Sequence, residues 1–151
     1  MATCGSLTCS GKRNMELNVK EERTGWRDQR ISELHRTWGY DCPALDIDFL
    51  MLEYDHAIPS ALVEFKHENA PPLRMGHPSI RTLKELCNRA NIPFFLVRYA
   101  DNFSWFHVTP GNDRASEFVT EPVRLTELEW ITLLYRCRGR AVPDELASRF
   151  V

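Results

Sequence analysis

A chain of 151 residues, with 43% hydrophobic and 26% charged residues, has the size and composition of one soluble globular domain. The net charge of −2 provides no overall basic signature, so any nucleic-acid contact must come from local clusters. No apolar run approaches the ~20 residues of a membrane-spanning helix, and Met1 to Asn14 lacks the basic-then-apolar order of a secretory leader, so a cytoplasmic protein with no membrane partner is expected.

Residues 1–20 read as a flexible tail containing Gly5, Ser6, Ser10 and Gly11, and residues 21–151 as a single domain. A first helix is expected from Thr24 to Trp38, because Ile31, Leu34, His35 and Trp38 repeat on one helical face. Thr24 suits its N-cap and Gly39 its stop. Leu45 to Tyr54 then reads as a strand, apolar on both faces from Phe49 to Leu52 and therefore expected to be covered on both sides. Asp55, His56, Pro59 and Ser60 form a turn cluster, and Ala61 to Lys66 a second short strand. So short a connection favours an antiparallel hairpin, since a parallel crossover needs about a dozen residues.

Glu68 to Met75 reads as a loop around Pro71 and Pro72. A second helix opens at Pro78 and Ser79, with Ile80, Leu83, Leu86 and Ala90 on its apolar side, and ends at Asn91 and Pro93. Phe94 to Tyr99 and Trp105 to Thr109 read as two more strands, with Pro110, Gly111 and Asn112 closing the sheet. Thr126 to Arg138 is a third helix, in which Thr126 and Glu129 fit a capping box and Gly139 a stop. A short final helix fits Pro143 to Phe150. The order α–β–β–α–β–β–α predicts an α/β (α+β) fold, a four-stranded mixed sheet flanked by helices.

Five cysteines, Cys4, Cys9, Cys42, Cys87 and Cys137, are an odd number spread widely. They read as free thiols, and Cys4 and Cys9 have no second pair with which to complete a zinc site. Basic residues cluster at Arg27, Arg30 and Arg36, at Arg74, Arg81, Lys84 and Arg89, and at Arg136, Arg138 and Arg140. Each reads first as a solvated helix face; contact with phosphate requires the clusters to converge. Trp26, Trp38, Trp105 and Trp130 read as core or half-buried residues, and base stacking by any of them would need a basic surround.

Charge breaks the pattern of the hairpin. Asp46 and Asp48 interrupt one apolar strand, and Glu64 and Lys66 end the other. Aspartate is depleted in strands and buried charges are paired, so such violations mark functional sites. With a turn centred near Ala57, Glu64 lies opposite the stretch from Asp48 to Met51. Two carboxylates 4 Å apart repel by about 4 kcal/mol at an effective dielectric of 20, so they need a cation between them. Lys66 supplies part of it, and a hard divalent ion, Mg2+ or Mn2+, held by Asp48, Glu64 and the backbone carbonyl of Phe65, supplies more. The expected chemistry is in-line hydrolysis of a phosphodiester.

Asp48, the hairpin and Glu64-Phe65-Lys66 together resemble the active-site motif of the PD-(D/E)XK nuclease superfamily. The flanking helix and the helix–strand–strand order are similar to its restriction-endonuclease-like core over residues 24 to 110. The resemblance implies metal-dependent cleavage of DNA by Asp48, Glu64 and Lys66 and a small phage or bacterial member, acting in a bacterial or phage-infected cytoplasm. Asp46 is the second choice for the first aspartate. The resemblance also suggests Glu33 on the first helix and Lys84 on the second as accessory residues. A homodimer is compatible with cutting two strands. The competing reading is a non-catalytic nuclease-fold module that binds DNA or a protein; action on RNA is a third, without any RNA-recognition signature.

Overall fold

The computed structural model describes residues 29–151. The proposed tail, the Thr24 cap, Trp26, Arg27, Cys4 and Cys9 lie outside the described residues. The chain divides into two compact units, one ending at Ala44 and one spanning Leu45–Val151.

In the first unit, α1 covers Gln29–Arg36 and stops short of Trp38. The Thr37 N–H and hydroxyl both bond the Leu34 carbonyl, at 3.0 and 2.6 Å, and Trp38 N–H bonds the His35 carbonyl. These three-residue bonds tighten the last turn and end the helix. His35 is satisfied by the Cys42 carbonyl at 2.6 Å. Trp38 is 53% exposed, so it is not a core residue.

The second unit is built on a mixed sheet of five strands, in the order β1 (Phe49–Glu53), β2 (Ile58–His67), β3 (Phe94–Tyr99), β4 (Phe106–Pro110) and β5 (Val123–Leu125). The expected antiparallel β1–β2 hairpin is present, closed by a 3-10 turn at Tyr54–His56 and by Ala57 in the left-handed region at φ 52°. Helix α2 (Pro78–Ala90) carries the chain from β2 to the parallel strand β3. β4 and β5 add antiparallel to the far side. The expected strand count of four is therefore corrected to five. Asn112 does not close the sheet. Its side chain caps α3 (Asp113–Ser116), and the chain then returns as β5. Helices α4 (Glu127–Cys137) and α5 (Asp144–Ala147) follow. The Thr126–Glu129 capping box is formed as expected.

Side chains alternate along each strand and build two cores. On one face Ala61, Val63, Phe95, Val97, Phe106 and Val108 pack against Trp130 and Leu133 of α4. On the other, Leu62, Phe94 and Leu96 pack against Ile80, Leu83 and Cys87 of α2. The stripe on α2 thus uses Cys87, while Leu86, expected inside, is 45% exposed. Strand β1 is shorter than expected, and its cover is incomplete. It is the sheet edge, and Phe49, Leu50 and Leu52 are 48–49% exposed.

Two polar ties hold this frame. Buried Asn112 accepts the N–H groups of Phe94 and Ala115 and donates to the Ile92 carbonyl and the Asn88 amide. Glu53, at the end of β1, is gripped by Arg138 through Nε and Nη2 at 3.0 and 2.9 Å and by Arg140 at 2.8 Å. Gly111 sits where a Cβ would come within 2.6 Å of the Phe94 ring, so only glycine lets its N–H reach the Phe94 carbonyl at 2.7 Å.

Candidate active site on the β1–β2 hairpin

The hairpin register pairs Phe49 with Val63 and Leu50 with Leu62. Asp48 lies one residue ahead of this ladder, at the Glu64–Phe65 end of β2. Asp48 Oδ2 accepts the Phe65 N–H at 3.0 Å. A side-chain oxygen thus takes the place of a backbone partner, which explains why the ladder begins at Phe49 and not at Leu45. Ile47, ahead of the strand, packs instead against the α2-side core.

Glu64 and Lys66 project from β2 on the α2 face, continuing the alternation of Leu62. Glu64 is buried, and its Oε1 meets Lys66 Nζ at 3.0 Å, with side-chain exposures of 11% and 36%. An ordinary surface ion pair would leave both groups in solvent; here the carboxylate lies inside. The Glu64 hydrogen bond, first of all, raises the Lys66 pKa above its ordinary value; burial opposes this, and the charges of Glu64 and Asp48 add to it. Lys66 is therefore a cation at neutral pH, suited to stabilising negative charge and not to accepting a proton.

The structure thus brings Asp48, Glu64 and Lys66 together. Asp46 lies two residues ahead of Asp48, before β1. Glu33 is exposed on α1, in the unit that ends at Ala44, and Lys84 is exposed on α2 beside Arg81. Of the basic clusters, the third is committed within the fold. Arg138 and Arg140 hold Glu53, and the Arg136 guanidinium lies 5.8 Å from the centre of the Phe118 ring. In the second, Arg89 pairs with Glu85 at 2.8 Å.

Among the described residues, no group of three or more His, Cys, Asp or Glu side chains gathers to hold a metal. Two carboxylates do not exclude magnesium, which is typically held by one or two carboxylates together with waters and substrate phosphate. Asp48 commits one oxygen to Phe65 and Glu64 one to Lys66, and each carboxylate has a second oxygen beyond those bonds. Asp48, Glu64 and the Phe65 carbonyl fit a hard cation as a donor set.

One residue missed from the sequence adjoins the site. Arg98 of β3 pairs in register with Lys66 and donates to the carbonyls of Glu68, Ala70 and Pro71, at 2.9, 2.9 and 3.3 Å. It ties down the loop that leaves β2. The same signal that singled out Glu64, a charge inside an apolar strand, was present in Phe94-Phe95-Leu96-Val97-Arg98. His67, on the opposite face from Lys66, bonds Asp101 at 3.0 Å and accepts the Asn69 N–H, a structural role. His77 caps α2 by accepting the Ser79 N–H. Cys42, Cys87 and Cys137 are free, and burial pushes the thiols of Cys87 and Cys137 up to about 11, so neither is a nucleophile. No helix among the described residues is long and apolar enough to cross a membrane.

Compared with family models, with curated proteins and with solved structures, the chain matches none.

Proposed function

We propose that this protein is a Mg2+- or Mn2+-dependent deoxyribonuclease, resembling the PD-(D/E)XK superfamily, that hydrolyses phosphodiester bonds at Asp48, Glu64 and Lys66. The observation that carries the reading is the convergence of these three side chains on one hairpin. Glu64 is buried against Lys66, and Asp48 is bonded to the residue between them. A buried carboxylate is kept where it is neutralised, and a cation beside it faces whatever enters. Asp48, Glu64 and the Phe65 carbonyl would hold the metal. When bound, the metal would lower the pKa of a water and offset charge on the phosphoryl group.

The chain's own residues set the rest. Phe65 N–H orients Asp48, and Glu64 holds Lys66 protonated. The Lys66 ammonium would offset the charge that develops on a phosphoryl oxygen, a contribution on the order of 10²–10³ in rate. The test is incubation with linear, circular, single-stranded and branched DNA, with magnesium, manganese or chelator. Cleavage that needs the metal and falls about 10²–10³-fold in Lys66→Ala, with comparable losses in Asp48→Ala and Glu64→Ala, supports the reading. No cleavage of any substrate, with DNA or a protein partner still bound, would overturn it in favour of a non-catalytic module.

A further inference from the structure

Strand register aligns three cationic side chains and one histidine across the sheet. Lys66 of β2 pairs with Arg98 of β3, Arg98 with His107 of β4, and His107 with Arg124 of β5. Cross-strand partners project to one face. Here it is the α2 face, because Leu62, Phe94 and Leu96 on the same alternation pack against α2. Neighbouring strands are ~4.8 Å apart, so the row runs about 14 Å from Lys66 to Arg124. No carboxylate occupies a paired position in it. Glu64 pairs with Lys66 and offsets the charge at that end of the row, while just beyond the strands Asp101 bonds His67 and Glu68 accepts the Asp101 N–H.

The far end of the row carries an aromatic. Trp105 immediately precedes β4. The Arg124 guanidinium lies over its indole, 4.4 Å from the ring centre. Arg124 is exposed and Trp105 half-buried. Arg98 directs three of its five N–H hydrogens at loop carbonyls and contributes chiefly charge. This is the basic surround that a tryptophan needs to serve nucleic acid.

We propose that the row from Lys66 to Arg124 is the track for one strand of single-stranded DNA, with an unpaired base stacking on the Arg124–Trp105 platform and the scissile phosphate at Lys66. The proposal rests on the nuclease reading for what happens at the Lys66 end. Charge complementarity selects a polyanion. The width of the row, one side chain, selects one backbone and not the two of a duplex. The platform selects a substrate whose bases are unstacked, because arginine planes and aromatic rings receive only splayed bases.

The test is fluorescence anisotropy with a labelled 16-nucleotide deoxyoligonucleotide in chelator, where binding is read without cleavage. Against wild type, Arg124→Ala is expected to weaken binding about five- to tenfold and to reduce the slope of log K on log salt by ~0.7, one phosphate contact on a single strand. Trp105→Ala is expected to weaken it about five- to hundredfold, the range for loss of one base stack. Trp105→Phe, which keeps a ring, should restore most of the loss, and Arg89→Ala, on exposed α2, should change nothing. Equal or tighter binding of the matching duplex or of a ribo-oligonucleotide, or wild-type affinity in Arg124→Ala, would overturn the track. The two readings separate cleanly. Cleavage with no single-strand preference sinks the track alone, and Arg124-dependent single-strand binding without cleavage in magnesium sinks the nuclease alone.

Discussion

The two faces of the sheet use the same strands for opposite ends. Facing α4, β2 is apolar throughout, from Ala61 to Val63 to Phe65, and Trp130 meets Phe65, Phe95 and Phe106 at ring-centre distances of 6.0–6.3 Å. Facing α2, the same strand is apolar only as far as Leu62 and then turns charged at Glu64 and Lys66. One face of β2 thus anchors the strand while the other is released from packing. Charged groups can be held at fixed positions on a strand because its reverse side is locked.

The division predicts that the α4 face carries stability and the charged end of the α2 face carries chemistry. The largest effect is expected from Trp130→Ala, which should cost about 3–5 kcal/mol of unfolding free energy in a denaturant titration. A loss under about 1 kcal/mol would mean that the aromatic cluster does not anchor the strand. Next is Asn112→Ala, expected to cost about 1–3 kcal/mol because it strands the buried N–H groups of Phe94 and Ala115. Glu64→Gln should change stability by less than about 1 kcal/mol, since Lys66 is partly exposed and can turn to water, while cleavage of DNA is lost. A large fall in melting temperature with cleavage retained would reverse the roles of the two faces.

A separate effect, independent of substitution, appears in alkali. Cys87 and Cys137 hold their protons up to about 11 in the fold, against ~8.5 in an unfolded chain. The unfolded chain therefore loses these protons first, and stability should be level below pH ~8.5 and fall as pH rises toward 11. The Lys66 pairing acts in the same direction, being complete below the ordinary lysine value and lost above the raised one. A melting-temperature series across pH 7–11 reads the decline on the scale of ~8.5 to 11 set by these thiols. Alkylation at pH 8 followed by peptide mapping should label exposed Cys42 well before Cys87.

The sequence made legible what depends on local pattern. Thr126 and Glu129 announced a capping box, and Pro78 to Asn91 a helix, because both signals lie within one turn of the residues they govern. The approach of Asp48 to the Glu64–Phe65 stretch was also within reach, since a hairpin turn sets the register on both sides of it. What escaped depends on distant partners. Nothing local shows that Asp48 would bond Phe65 and end the ladder early, or that Asn112 would cap a helix while joining Phe94 to Ile92. β5 is only three residues, Val123–Leu125, and becomes a strand by pairing with β4. The row from Lys66 to Arg124 draws on four strands whose register is a property of the folded sheet.

The grip on Glu53 has a consequence for how the molecule is made. Arg138 stands 85 residues after the carboxylate it neutralises. At ordinary rates of synthesis that gap is roughly 4–17 s. During that interval the hairpin bearing Asp48 and Glu64 exists without the partners that secure its outer strand. The nascent chain therefore carries the Asp48–Glu64 hairpin early and receives the clasp for it late.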